Sequence, residues 1–153
     1  MPTAATEVDA KPELVIMRVF DAPRSLVFEA WTNPHHIKNW FGPKHHPSVD
    51  MEIDVRPGGL WRSLLRSTGT EPDITLHGVY REIVPPERLV FTFGEEGEGG
   101  NRSNTIVTVT FEEQGRKTKM TLRQSPFASA DERDSHGGGW SSCLDRLAEF
   151  LSA

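Results

Sequence analysis

Four of the six histidines stand in adjacent pairs, His35-His36 and His45-His46, on either side of a short apolar stripe. Neighbouring side chains point in different directions, whereas a zinc site needs three or four ligands converging at about 2.0 to 2.3 Å. No spacing here imposes that convergence, so no metal is expected. His77 and His136 are isolated and read as surface or mouth residues. The one cysteine, Cys143, could serve as a nucleophile only beside a cation or a helix N-terminus that lowers its pKa. Nothing in the sequence places one there, and a buried, inert thiol is the expectation.

Glu52 and Glu82 could work as acid and base if their strands turned them inward; on the outer face they are solvated strand charges. No Ser-His-Asp order and no nucleotide fingerprint is present. The glycines from Gly97 to Gly100 sit in an acidic hairpin that would repel phosphate. Asn101-Arg102-Ser103 matches a glycosylation acceptor and, without export, is only a turn. No catalytic set can be named from these residues, and no cofactor is expected.

The elements that must position such residues begin with a chain of 153 residues, which by area scaling buries roughly 70% of its unfolded surface. A composition of 36% hydrophobic and 25% charged residues, with mean hydropathy -0.47, is that of an ordinary globular protein. No run approaches the roughly 20 apolar residues that span a bilayer, so membrane insertion is not expected. The first dozen residues lack the basic start and apolar run of a secretory signal. Residues 1–12 are read as a flexible tail and 13–153 as one domain. A single cysteine fits a reducing cytoplasm. A net charge of -5 with pI near 5.7 weighs against nucleic acid or an anionic membrane surface as partner.

Period-2 alternation between turn signals predicts seven strands: Glu13 to Phe20, Ser48 to Val55, Leu60 to Ser67, Ile74 to Val84, Leu89 to Gly94, Thr105 to Glu112 and Thr118 to Gln124. Between the first two, Leu26, Val27, Ala30 and Trp31 recur at helical spacing, and Asn33-Pro34 ends that helix and caps another. The second short helix carries Ile37, Trp40 and Phe41 before Gly42-Pro43. Breaks this short require mainly antiparallel pairing. Ser129 to Glu132 forms a capping box, and Trp140, Leu144, Leu147 and Leu151 then mark one face of a long final helix. Gly137-Gly138-Gly139 interrupts it at about 1 kcal/mol per glycine, either for close packing or as a hinge. An α+β domain whose only long helix comes last buries that helix by curling the sheet around it.

Seven collinear motifs resemble one family. They run from Val19-Phe20-Asp21-Ala22-Pro23-Arg24 and Val27-Phe28-Glu29-Ala30-Trp31-Thr32 through Trp40-Phe41-Gly42-Pro43, Arg56-Pro57-Gly58-Gly59 and Gly78 to Ile83. Pro85 to Thr92 and Gly139-Trp140 before Leu144-Asp145-Arg146-Leu147 complete them. The pattern is similar to homologues of the activator of the heat-shock-protein-90 ATPase and covers Leu14 to Leu151. The resemblance implies the helix-grip (START-like) fold, a superfamily that also includes steroidogenic lipid-transfer domains, birch-pollen-type allergens and polyketide cyclases. Many relatives carry a histidine at the end of the last strand; Gln124 stands there in this sequence.

Alternation selects an inner wall of Trp61, Ser63, Leu65, Phe91, Phe93, Val107, Val109, Met120 and Leu122, facing Trp140, Cys143, Leu144 and Leu147. In the fourth strand the phase is open between Tyr80 and Val79, with Tyr80 favoured inward. Ser63, Tyr80 and Gln124 could supply polar groups to an apolar cavity. The same residues also describe a filled core. Trp40 and Phe41 are expected near the mouth, as a lid. The leading expectation is non-enzymatic binding of a small apolar or aromatic molecule. A chaperone-type or regulatory module with a protein partner and a polyketide-cyclase-like enzyme are the alternatives, and either a monomer or a homodimer is compatible.

Overall fold

The computed structural model describes residues 11–96 and 104–152. Most of the expected tail, the glycines from Gly97 to Gly100 and the Asn101-Arg102-Ser103 triplet lie outside them. The strands are β1 (Leu14–Phe20), β2 (Ser48–Ile53), β3 (Leu60–Leu65), β4 (Ile74–Val84), β5 (Arg88–Glu96), β6 (Thr105–Gln114) and β7 (Lys117–Ser125). They form one antiparallel sheet in the order β1-β7-β6-β5-β4-β3-β2. The helices are α1 (Arg24–Thr32), α2 (Pro34–Ile37) and α3 (Ala130–Ser152). This is the helix-grip architecture that the alternation and the motifs led us to expect.

Local chemistry accounts for the breaks. The Asn33 side chain accepts from the His35 N–H at 2.9 Å and Pro34 occupies the first helical position, so α2 starts at a sharp corner. Ser129 Oγ accepts from the Glu132 N–H at 3.1 Å, which starts α3. That helix then runs unbroken to Ser152 and buries Trp140, Cys143, Leu144 and Leu147. Its glycines have different surroundings. A Cβ on Gly137 would lie 3.2 Å from Leu14, whereas one on Gly138 or Gly139 would meet nothing. Close packing therefore accounts for Gly137 alone.

The phase of β4 is settled by a bulge. Tyr80 pairs with Phe91 but Glu82 pairs with Val90, so one extra residue separates them and their faces decouple. Tyr80 turns inward and Glu82 outward. Glu52 is exposed as well. The sequence alternative in which these two carboxylates share a buried site is thereby corrected: a charge without a buried partner stays in water, and Glu82 meets Arg88 at 3.4 Å on the surface.

The ladder between β4 and β5 lapses between the His77–Gly94 and Tyr80–Phe91 pairs. Side chains take over its hydrogen bonds there. Trp61 of β3 donates its indole N–H to the Thr92 carbonyl at 3.0 Å, and the Val79 N–H donates to Thr92 Oγ1 at 2.8 Å. The indole crosses β4 at Gly78, where any Cβ would collide with that nitrogen and with the Thr92 carbonyl.

Candidate functional site

Between the first half of α3 and the β3–β5 side of the sheet lies a hollow of about 160 Å³. The pairings Leu65–Ile74 and Leu76–Glu95 bring three strands to one end of the sheet, where Leu65, Ile74, Leu76 and Phe93 form its floor. Helix α3 contributes Ser135, His136, Gly139, Trp140 and Cys143, and the corner after α2 adds Phe41, Gly42 and Pro43. Apolar surface dominates, with Glu95 and His136 as the titratable carboxylate and imidazole in the wall.

Two hydrogen-bonded brackets hold the walls. Trp140 Nε1 donates to Gln124 Oε1 at 2.8 Å, Gln124 Nε2 donates to Thr105 Oγ1 at 2.8 Å, and Thr105 Oγ1 donates to the Phe93 carbonyl at 3.2 Å. Gln124 is fully buried and spans β7, β6 and α3. Its amide is committed to fixing Trp140 and so acts as a bracket behind the wall. The second bracket is Arg146, whose guanidinium donates to the carbonyls of Asn39, Phe41 and Gly42 at 3.1, 2.9 and 2.8 Å. Gly42 sits at φ +88°, a left-handed conformation that favours glycine, and this lets the corner present those carbonyls to one cation.

Cys143 lies in the wall with its sulfur 3.8 Å from the Trp40 carbonyl. Burial pushes its pKa up to about 12, against weaker downward pulls from a backbone hydrogen bond and Arg146. At neutral pH it is a thiol, and the arrangement offers no activated nucleophile. His136 packs between Phe93, edge-on at 5.7 Å, and Phe127, tilted at 5.0 Å. Burial lowers its pKa, opposed by the charges of Glu132 and Glu95. Among the described residues no group of three or more His, Cys, Asp or Glu gathers as a metal site. His46 is buried against the Pro72 carbonyl at 3.2 Å, and His36 lies on Phe150 at 5.4 Å.

Of the residues expected to line a cavity, Phe41, Leu65, Phe93, Trp140 and Cys143 border this hollow. Trp61, Tyr80 and Phe91 border a smaller void of about 10 Å³ together with Trp31 of α1, Ile37 of α2 and Phe41. Val107, Val109, Met120, Leu122, Leu144 and Leu147 are fully buried and fill the core. Ser63 is also buried and spends its hydroxyl on Ser48 at 2.7 Å. The lid expected of Trp40 is corrected. It is fully buried, donates to the Ala30 carbonyl at 3.0 Å and packs edge-on against Trp31 at 4.9 Å. A donor already satisfied inside has no reason to swing out.

Ile74, Leu76, His136 and Gly139 were not anticipated as wall residues. The helical spacing of His136 and Gly139 with Trp140 and Cys143 is the signal that could have found His136 and Gly139. A broader surface trough near α1 pairs Arg24 with Glu87 at 3.8 Å and Arg88 with Glu82 at 3.4 Å, and Glu112 and Glu113 also line it.

The family model described as "Activator of Hsp90 ATPase homolog 1-like protein" matches residues 21–152. A protein of Rhizobium leguminosarum has a similar structure, with TM-score 0.80, 28% identity and coverage of 94% of this chain and 95% of that one. CalU16 from Micromonospora echinospora follows at TM-score 0.69 and 26% identity, covering 92% and 76% of the two chains. The AHSA1 protein from Silicibacter pomeroyi, at TM-score 0.81, 21% identity and coverage of 92% and 98%, shares the fold. No curated protein matches the chain.

Proposed function

Because the chain belongs to the activator of Hsp90 ATPase homolog 1-like family, whose fold commonly takes hydrophobic ligands or serves regulation, we propose that it binds a small apolar or aromatic molecule without transforming it. The observation that carries this reading is the hollow of about 160 Å³ beside Trp140. A cavity of roughly 150 Å³ is enough for benzene, so the occupant is the size of one substituted ring. The wall residues Phe41, Leu65, Phe93 and Trp140 suit an apolar face, and Glu95 at the rim disfavours an anion.

Two observations support a reading of binding without turnover. The thiol is held protonated, and Glu52 and Glu82 lie outside. A panel of one-ring compounds tested by thermal unfolding checks the reading. A bound compound at 100 times its dissociation constant adds about 2.7 kcal/mol. A panel in which no compound raises the melting temperature sinks it.

A further inference from the structure

Glu95 places a carboxylate on the inner face of the sheet. It follows Phe93 by two residues in β5 and stands opposite Leu76 of β4, and both of those side chains line the hollow. Residues two apart on a strand share a face, and so do residues directly opposite in an antiparallel pair. Two registers therefore turn Glu95 toward α3, and it is half-buried there. Its charge is felt on that helix by His136, whose pKa is lowered by burial and raised in opposition by Glu132 and then Glu95.

No cation answers this carboxylate among the described residues. The next residue, Glu96, has the opposite phase and meets Arg62 at 3.6 Å. The walls of the hollow contain neither lysine nor arginine, and Arg146 spends its guanidinium on the carbonyls of Asn39, Phe41 and Gly42. Three rings complete the surroundings. Trp140 lies edge-on to Phe41 at 6.1 Å and tilted to Phe93 at 5.9 Å, and all three line the same space. Aromatic faces attract a cation within about 6 Å, tryptophan most strongly. Rings and carboxylate thus favour the same sign of charge.

We propose that the hollow takes a one-ring organic amine, bound as its ammonium, with the ring among Phe41, Phe93 and Trp140 and the nitrogen at Glu95. The proposal rests on the ligand-binding reading above and names the ligand's class. A volume of about 160 Å³ takes one ring, so the nitrogen sits on a short arm that reaches from the rings to the carboxylate. A plain hydrocarbon would strip water from Glu95 and return nothing for it, and an anion would be repelled. An ammonium donates a charge-assisted hydrogen bond to it.

The test compares 2-phenylethylamine, 2-phenylethanol and phenylacetate, which share the ring and a short arm and carry positive, zero and negative charge. Dissociation constants are measured at low salt and about pH 8, where the amine is an ammonium and His136 is neutral. The amine is expected to bind roughly tenfold more tightly than the alcohol, as one part-buried ion pair and a cation–π contact together would give, and phenylacetate most weakly. Glu95→Gln should cut the ratio of amine to alcohol affinity roughly fivefold. Glu96→Gln removes an equal charge from the outer face one residue away and should leave that ratio within about twofold. Equal binding of amine and alcohol, tighter binding of phenylacetate, or equal losses in the two variants would overturn the amine site and leave the ligand-binding reading standing. Binding of none of the three would overturn the inference, and the wider panel would then decide the ligand-binding reading by itself.

Discussion

Arg146 donates from Nη1 to the carbonyl of Phe41 at 2.9 Å, so the long helix itself holds the backbone of the corner after α2. The same guanidinium reaches Gly42 and Asn39. Arg146→Met keeps the apolar stem and removes the donors. Charge-assisted hydrogen bonds are worth roughly 1.5 to 3 kcal/mol when buried, and partial exposure here places the total near 2 kcal/mol. Urea unfolding checks this through the midpoint. Arg146→Lys should recover little, since one ammonium cannot span three carbonyls. An unchanged midpoint for the methionine variant would mean that water replaces the guanidinium without loss.

Gly139 and Gly78 predict opposite outcomes for the same substitution. A Cβ at Gly139 meets nothing, so Gly139→Ala should stabilise the helix by about 1 kcal/mol. Gly139→Leu should retain stability and fill the hollow, removing the binding of one-ring compounds. Gly78→Ala drives a methyl into the Trp61 indole and the Thr92 carbonyl. It should cost about 3 kcal/mol or prevent folding. Melting temperatures of the three variants order them, and a stable Gly78→Ala would contradict the crossing of β4 by Trp61.

His136 makes stability depend on pH. Its native pKa lies below the ordinary value of 6.5, chiefly through burial. As pH falls through 6.5 the unfolded chain takes up the proton first, so ν(U) exceeds ν(N) and stability declines on acidification. The loss is complete below the native pKa and absent well above 6.5. His136→Phe should flatten this part of the profile. Parallel profiles for the two proteins across that range would refute the assignment.

Cys143 should resist alkylation in the native state. Its pKa moves from 9.0 to about 12, a difference of three units, so native thiolate is about a thousandfold scarcer than in the unfolded chain at pH 8. Iodoacetamide should label it only in denaturant. The associated stability is present below pH 9.0 and is lost as pH rises through about 12, because the unfolded thiol ionises first. Rapid native labelling would place the sulfur in water.

The strands were legible because nearly every one alternates, as in Trp61, Ser63 and Leu65 against Arg62 and Leu64, and because Pro and Gly punctuate their ends. The site was legible only in part. Alternation names a face, but whether Val109 and Met120 fill space or border it depends on distances between elements far apart in sequence. The bulge after Tyr80 leaves no local mark, so the outward turn of Glu82 could not be foreseen. Trp40 was misplaced because a four-residue helix carries too little periodicity to say which way the chain folds back after it. Gln124 was recognised as an inward polar residue; its commitment to Trp140 and Thr105 needed three elements in place.

The tie that Trp61 makes to Thr92 across Gly78 has a mechanical consequence. Strands β3, β4 and β5 share side-chain bonds as well as backbone ones, so that wall behaves as a single stiff plate. The opposite wall is assembled from glycine-bearing helix and a corner held by one cation. The helical side is therefore the softer of the two walls, and the rate of ligand entry should respond to changes at Arg146 and Gly139 far more than to changes in the sheet.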